Sequence, residues 1–219
     1  MAGFKLLIVG VDLIDLLLSA GWPVWPLLAL SVLALALILE RAWYLRRVRI
    51  APPEIIEPLL AQCQNALPTR QQTLALAGSS LLGQLMASAI ERVRVQPLVS
   101  DAALRQSLEI EGRVAAAQIE KHLPALATVA SVSTLMGLLG TVVGMIEIFA
   151  AQSQQGQQPA QLAQGISIAL YNTALGLLVA IPSLLAWRWL KSRAEHMTML
   201  LEVGCERLVI QLQQLQRPR

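Results

Sequence analysis

Two long apolar segments in the second half of the chain constrain its fold more than any other feature. The segment LPALATVASVSTLMGLLGTVVGMIEIFA begins at Leu123, and GISIALYNTALGLLVAIPSLLAW begins at Gly165. Both carry small and polar residues at helical spacing, and the stretch between them, AQSQQGQQPAQLAQ, is uncharged. A helix of about 20 apolar residues is long enough to cross a bilayer. The pattern therefore predicts a membrane helix hairpin whose faces contact other helices.

A third apolar segment precedes this hairpin, and the composition of the chain agrees with three spans. Of the 219 residues, 55% are hydrophobic and 14% are charged, which is too apolar for an ordinary soluble domain. The predicted spans are residues 22–44, 124–151 and 165–189. We therefore predict an all-α membrane protein with three transmembrane helices and further helices outside the bilayer.

Basic residues predict the orientation, because Lys and Arg near the ends of spans favour the cytoplasmic side. They follow the first span, precede the second and follow the third: Arg41, Arg46, Arg47, Arg49, Arg113, Lys121, Arg188, Lys191 and Arg193. We predict that the N-terminus and the uncharged loop 152–164 face outward, and that the helical region 45–123 and the helical tail 190–219 are cytoplasmic. Cys63 and Cys205 would then be reduced thiols.

The first twenty residues allow two interpretations. Residues 1–20 favour an amphipathic helix on the outer membrane surface, with leucines on one side and Asp12 and Asp15 on another. A cleaved signal peptide is the alternative. Against it, the two aspartates interrupt the apolar region, and no convincing small-residue cleavage site precedes Trp22.

The region between the first two spans is predicted to be helical. We expect one short helix among the prolines of residues 51–68 and a second helix over residues 69–95. Ser100 is a predicted N-cap for a longer helix over residues 101–121. That helix would run into the second span, with Pro124 at the junction.

Apolar residues at helical spacing mark the buried faces of two of these helices. On residues 101–121 the face consists of Leu104, Leu108, Ala115 and Ile119. After the third span, leucines recur every seven residues at Leu201, Leu208 and Leu215. The tail is therefore predicted to continue the third span as an amphipathic helix.

Small residues inside the second and third spans predict close helix packing, because association in lipid depends on close contact. The second span carries a stripe of Gly137, Gly140 and Gly144. The third carries small residues at steps of three and four: Ala169, Thr173, Gly176, Ala180 and Ser183. We assign the four glycines to packing. Pro182 is a further packing candidate and is expected to kink the third helix.

Four polar residues inside the two spans are candidates for an ion path: Thr141, Glu147, Asn172 and Thr173. Polar groups inside a bilayer need a partner or water. Two other interpretations stay open. A Thr hydroxyl can bond a carbonyl one turn back in its own helix, and Glu147, near the outward end of its span, can simply contact headgroups or water.

The sequence lacks the patterns of an enzyme. Its two histidines, His122 and His196, have no Cys or carboxylate at metal-ligand spacing. It contains no Gly-rich phosphate loop, no GxSxG and no paired intramembrane carboxylates. We therefore predict no catalytic residues, no metal, no cofactor and no nucleic-acid partner.

The motifs LPALATVA, GLLGTVVGMIEIF and GISIALYNTALGLLVAIPSLLAW, in this order, resemble the signature of the MotA/TolQ/ExbB proton channel family. The likeness is greatest to its ExbB-like members, with TolQ-like members second. The motifs cover residues 123–187, and the three-span layout agrees with the same subfamily. Flagellar stators fit less well, because they use four spans and a larger cytoplasmic insert.

The resemblance implies a proton-channel or stator subunit in the bacterial inner membrane. Relatives form homopentamers around two copies of an ExbD-like or TolR-like single-span partner, with the second and third helices lining the pore. The work of the proton motive force passes to a TonB-like or TolA-like transducer. The resemblance also matches Thr141 and Thr173 to pore-facing threonines, whereas the essential proton-carrying Asp belongs to the partner.

One position departs from the family pattern. Relatives often carry a glutamate in the first turn of the third span, whereas this chain has Ile168. Glu147, predicted at a similar depth on the facing helix, is a candidate substitute. The missing acid is also the best support for a different function, that of a non-conducting membrane scaffold.

Overall fold

The computed structural model describes residues 22–46, 50–64, 66–97, 99–155 and 159–216. In these residues all regular secondary structure is helical, which confirms the all-α prediction. The helices are α1 (Val24–Tyr44), α2 (Pro53–Cys63), α3 (Arg70–Ser79), α4 (Leu81–Val95), α5 (Asp101–Glu120), α6 (Leu123–Gln155) and α7 (Pro159–Gln216). The predicted surface helix 1–20, Arg47 and Arg49 lie outside the described residues.

Three stretches of helix are long and apolar enough to cross a membrane. They lie within Val24–Tyr44, Asp101–Ala150 and Gly165–Leu215, and each of these ranges overlaps one of the three predicted spans. The short helix expected among the prolines is also present as α2, which has Pro53 at its start and Pro58 inside it. A proline in the first turn removes an N–H that would have no helical partner.

The chain divides into two compact units. The first, here called the span unit, comprises Met1–Leu39 and Pro124–Trp187, and the second, the polar unit, comprises Glu40–Leu123 and Arg188–Arg219. In the span unit, large apolar side chains are exposed, among them Val32 (70%), Leu135 (63%) and Leu178 (69%). Such outward-facing apolar side chains are expected of helices whose solvent is lipid.

Helices α4, α5 and α7 supply the core of the polar unit. The predicted face of α5 is buried at all four positions, Leu104, Leu108, Ala115 and Ile119. On α7, Leu201 and Leu208 are buried as predicted, whereas Leu215 is half-buried. Helices α4 and α7 are in close contact, because a Cβ added to Gly204 would lie 3.0 Å from Cδ1 of Leu82. The sequence periodicity therefore identified the buried face of α5 at every position and that of α7 at two of its three leucines.

The prediction of one helix over residues 69–95 is wrong, because the helix is interrupted at Ser80. Ser80 has an extended backbone (φ −166°, ψ 168°), and its side chain accepts a hydrogen bond from the Gly83 N–H, which caps α4. Thr69 caps α3, and Gln72 completes a capping box with it. Ser and Thr hydroxyls favour such caps over helix interiors, because they compete for backbone hydrogen bonds.

We expect Gly83→Ala to destabilise the polar unit, because a Cβ at this position would collide with the carbonyl oxygen of Leu76. A backbone atom cannot rotate away, so α3 and α4 would have to separate, at a cost of about 1–3 kcal/mol. Denaturant unfolding of the full chain in detergent, followed by circular dichroism, measures the change.

Gly112→Ala on α5 is the matched control for this substitution. Nothing lies within 4 Å of a Cβ added there, and alanine raises helix propensity by about 1 kcal/mol relative to glycine. We therefore expect Gly112→Ala to be neutral or stabilising. Equal losses of stability in the two variants would contradict the collision.

The prediction that α5 runs into the second span is also wrong, although its start is correct. The Ser100 side chain accepts a hydrogen bond from the Ala103 N–H, which confirms the predicted N-cap. Helix α5 ends at Glu120, and His122 has a φ of 71°, which is uncommon for a residue with a Cβ. Helix α6 then begins with Pro124 in its first turn.

The sequence predicts a loop over residues 152–164, but helices occupy much of this range. Helix α6 continues to Gln155, and α7 begins at Pro159. Gln and Ala are good helix formers, and proline suits the first position of a helix. Helix α7 then continues as one helix through Pro182 to Gln216, so the predicted tail is helical as far as the structure describes it.

Cys63 and Cys205 are free thiols, as predicted. Burial raises the pKa of the Cys63 thiol. Burial, followed by the negative charge of Glu111, raises the pKa of the Cys205 thiol from 9.0 to about 12. Because only the thiolate is nucleophilic, both cysteines are expected to be unreactive near neutral pH.

We expect iodoacetamide to alkylate Cys205 about a thousandfold more slowly in the folded chain than in the unfolded chain at pH 8, because three pKa units reduce the thiolate fraction by that factor. Quantitative mass spectrometry of the Cys205 peptide measures the rate. Since the folded-state pKa is the higher one, the stabilising effect of the protonated thiol is complete below pH 9.0 and is lost as the pH rises towards 12. Glu111→Gln should accelerate the reaction, and an unchanged rate would contradict the role of that charge.

Candidate functional site

Helices α6 and α7 cross in the span unit at two of their glycines. A Cβ added to Gly176 would lie 2.8 Å from the Cα of Gly137 and 2.7 Å from the carbonyl oxygen of Ser133. A Cβ added to Gly137 would lie 3.1 Å from the Cα of Gly176. Because these neighbours are backbone atoms, a larger residue fits at neither position unless the helices move apart. Close contact of this kind holds helices together in lipid.

Gly140 and Gly144 extend this contact along α6. A Cβ at Gly140 would lie 2.6 Å from the Cβ of Asn172, and one at Gly144 would lie 3.1 Å from the Cβ of Ala169. Residue numbers rise along α6 while those of the contacted residues fall along α7, so the two helices are antiparallel. All four glycines that the sequence proposed for packing lie in this contact.

Three further residues complete or correct the packing face. Gly165 lies against Ile148, and Ser133 is 0% exposed with its hydroxyl donating to the carbonyl oxygen of Val129. Sequence reasoning did not single out either residue, although Ser133 precedes Gly137 by four positions and continues the glycine stripe. Pro182, in contrast, is exposed and does not lie on the buried face of α7.

Two polar side chains lie inside the crossing. The Thr173 hydroxyl donates a hydrogen bond to the carbonyl oxygen of Gly137 at 3.2 Å, from one helix to the other. Asn172 is 2% exposed, and its side chain covers Gly140. Thr173 can approach the backbone of α6 because Gly137 has no side chain. The small residues therefore allow polar contacts as well as close packing.

Thr141 uses its hydroxyl differently. It is half-buried, and its Oγ1 donates to the carbonyl oxygen of Leu138 in the same helix at 2.6 Å. The sequence left open whether these threonines bond within their own helix. Thr141 does so, whereas Thr173 bonds to the other helix. In both residues the hydroxyl proton is engaged with a backbone carbonyl. The oxygen lone pairs then remain able to accept a hydrogen bond from water or from a protonated acid.

Glu147 is exposed near the end of the hairpin that the interhelical loop joins. Its neighbour Ile148 lies against Gly165, and Gly144 lies against Ala169. Glu147 and Ile168 lie on opposite helices between these two pairs of contacts, Glu147 next to the first pair and Ile168 next to the second. Ile168 itself is half-buried.

A second polar cluster lies in the polar unit. Arg41 is 3% exposed and forms an ion pair with Glu40, with Nη2 at 3.0 Å from Oε1. The His122 Nδ1 lies 2.9 Å from Arg41 Nη2 and 2.9 Å from Glu40 Oε2. Without a proton, Nδ1 accepts from Arg41, and with a proton it donates to Glu40. The left-handed backbone of His122 brings its ring to this pair, a contact that the sequence did not predict.

These structural features define the class of protein. The chain is an all-α membrane protein in which two apolar helices pack through glycines and hold hydroxyl groups at their contact. Among the residues that the structure describes, no group of three or more His, Cys, Asp or Glu side chains could hold a metal ion. The arrangement suits the close assembly of helices within a bilayer.

The chain belongs to the MotA/TolQ/ExbB proton channel family, whose model matches residues 77–203, more than half of the sequence. A relative in Synechocystis sp., described as biopolymer transport protein ExbB-like 1, is 29% identical over 199 residues. That alignment covers 89% of this chain and 77% of the relative. These findings confirm the resemblance and support a membrane-embedded subunit of a proton channel, of a kind that forms complexes with partner proteins.

Proposed function

We propose that this chain is the pore-lining stator subunit of a bacterial inner-membrane motor. Together with an ExbD-like partner, it would couple the proton motive force to TonB-dependent transport across the outer membrane. The observation that carries the proposal is the Thr173 hydroxyl, which bonds to Gly137 at the α6–α7 crossing. The ExbB-like description of the Synechocystis sp. relative supports the same subtype.

The proposed assembly is a homopentamer around two copies of the partner. Support comes from the exposed apolar residues of the two hairpin helices, such as Leu135 and Leu138 on α6 and Leu170 and Leu178 on α7. One face of each helix is already used by the hairpin contact. The remaining faces are available to lipid, to neighbouring subunits and to the partner helices.

The proposed role of Thr141 and Thr173 follows from their hydrogen bonds. Since each hydroxyl donates to a backbone carbonyl, its oxygen is oriented as an acceptor. An acceptor can order water beside a carboxylic acid that takes up and releases a proton. That acid would be the Asp of the partner helix. Asn172 would hold the crossing in register beside Thr173.

Glu147 is proposed to replace the acid that Ile168 cannot supply. It is exposed and, like Ile168 on the facing helix, lies between the Gly144–Ala169 and Ile148–Gly165 contacts, so a proton entering from the outward side could meet it first. Glu147→Gln should then lower proton-driven activity about as strongly as replacing the first-turn glutamate of the third span lowers it in a relative. Unchanged activity in Glu147→Gln, with Thr173→Val inactive, would exclude this replacement.

Co-expression with the single-span protein of the same gene neighbourhood tests the proposal. We expect a stable complex of five subunits with two partner chains, and proton flux through it in liposomes. A chain that remains monomeric in the presence of its partner would overturn the stator function.

The same experiment also distinguishes two other functions. A TolR-like partner together with a TolA-like transducer would indicate an envelope-maintenance stator of the TolQ type. A complex that assembles but conducts no protons would indicate the non-conducting scaffold, for which Ile168 is the favouring residue.

A further inference from the structure

An exposed aromatic–arginine pair lies at the end of α1. The guanidinium of Arg46 stacks over the ring of Trp43 with its Cζ 4.3 Å from the ring centroid. The Trp43 side chain remains 57% exposed, and Arg46 is exposed as well. Trp43 lies in the last turn of α1, and Arg46 follows the end of that helix. The pair therefore presents an indole and a cation at the boundary between apolar and charged sequence.

A second pair of the same kind lies beside the first. Arg193 of α7 lies over the ring of Trp189, with Cζ 5.5 Å from the centroid, and Trp189 is 57% exposed. The Arg193 Nε donates to the carbonyl oxygen of Leu45 at 2.8 Å. Leu45 is fully buried, and it lies between Trp43 and Arg46 in the sequence. This hydrogen bond connects the two pairs within the polar unit.

The positive charge of the two pairs is not neutralised by nearby acids. Among the described residues, neither Arg46 nor Arg193 forms an ion pair with a carboxylate. Glu40, an acid near this end of α1, is instead engaged with Arg41 and His122. Arg46 stacks on an aromatic ring, and Arg193 uses Nε for Leu45. The terminal nitrogens of both guanidinium groups therefore have donors to offer to an anion.

We propose that Trp43, Arg46, Trp189 and Arg193 form a binding site for the headgroup of an anionic phospholipid. Guanidinium groups bind phosphate by paired, charge-assisted hydrogen bonds. Indoles favour the headgroup level of a bilayer. The guanidinium groups and the indoles together favour a lipid of the bilayer as the occupant. A soluble phosphate would contact the guanidinium groups but not the indoles.

Native mass spectrometry of the full chain in detergent tests this site with phosphatidylglycerol and phosphatidylcholine of identical acyl chains. We expect phosphatidylglycerol to be retained preferentially. Arg46→Gln should lower that retention about fivefold, the equivalent of one basic residue near an anionic surface. Arg46 is the preferred position, because Arg193 also holds the backbone of Leu45 and its loss could affect folding.

Arg113→Gln is the matched control, since Arg113 is an exposed arginine of the same unit that pairs with Glu109. It should retain phosphatidylglycerol as the unmodified chain does, and Arg46→Lys should retain part of it. Equal retention of the two lipids, or no change in Arg46→Gln, would overturn the site. If glycerol phosphate displaced phosphatidylglycerol as effectively as added lipid does, the occupant would be a soluble phosphate and not a lipid of the bilayer. The measurement needs no partner protein, so its result is independent of the stator function.

Discussion

Gly176→Val is expected to abolish stable assembly of the chain with its partner. The first added carbon would lie 2.7 Å from the carbonyl oxygen of Ser133 and 2.8 Å from the Cα of Gly137. Both contacts are with backbone, so relief requires α6 and α7 to separate along the crossing. Overpacking costs about 1–3 kcal/mol in ordinary cores, and the loss of Thr173 bonding would add to it. We expect less than about a tenth of the complex to be recovered by affinity purification.

Ala125→Val is the control for added volume in the same span. Ala125 lies on α6 and is exposed, so the larger side chain has space. Recovery of the complex should match that of the unmodified chain. A Gly176→Val chain that still assembled, with an unchanged unfolding midpoint in detergent, would show that the crossing is not tightly packed in the membrane.

Thr173→Val is expected to lower proton flux through the reconstituted complex about tenfold or more while the complex still assembles. Valine preserves the shape of threonine and removes the hydroxyl that donates to Gly137. The carbonyl oxygen of Gly137 then loses the hydrogen bond from Thr173, and the proposed proton path loses one acceptor. One hydrogen bond is worth about 1–1.5 kcal/mol, which corresponds to about a tenfold change in rate. A pH-sensitive dye inside the liposomes measures the flux.

Thr173→Ser and Thr128→Val separate this function from packing. Serine keeps the hydroxyl, so flux should largely return. Thr128 also donates within its helix, to the carbonyl oxygen of Pro124 at 3.0 Å, but it is not part of the crossing. Thr128→Val should therefore leave the flux unchanged. If Thr173→Val conducts normally, its hydroxyl serves packing alone, and the pore role would fall to Thr141 or to other groups.

Much of the fold could be predicted because it depends on local properties of the chain. Three runs of apolar residues indicated three spans, and the structure contains helices suited to each. The face of α5 was correct at every predicted position. Ser100 was recognisable as a cap because its hydroxyl has one short-range partner, the Ala103 N–H. Periodicity and caps need no knowledge of distant residues.

The helix interruptions at Ser80 and His122 were missed for an equally physical reason. At Ser80, a serine hydroxyl can cap a helix or lie within one, and the contact of Gly83 with Leu76 that accompanies the interruption was not evident from propensity. At His122, the left-handed backbone accompanies contacts with Arg41 and Glu40. These partners are about eighty residues away in the sequence, so a local pattern does not reveal them.

The sequence by itself determined that this chain is a three-span helical membrane protein with glycine stripes on the second and third spans. Apolar content and helical spacing are sufficient for that, because they fix which surfaces tolerate lipid and which allow helices to approach. Only the tertiary structure decided that Thr173 bonds across to Gly137 while Thr141 bonds within its own helix. The difference depends on the register of two antiparallel helices and on their separation at Gly137 and Gly176, which are set by the packing of both helices together.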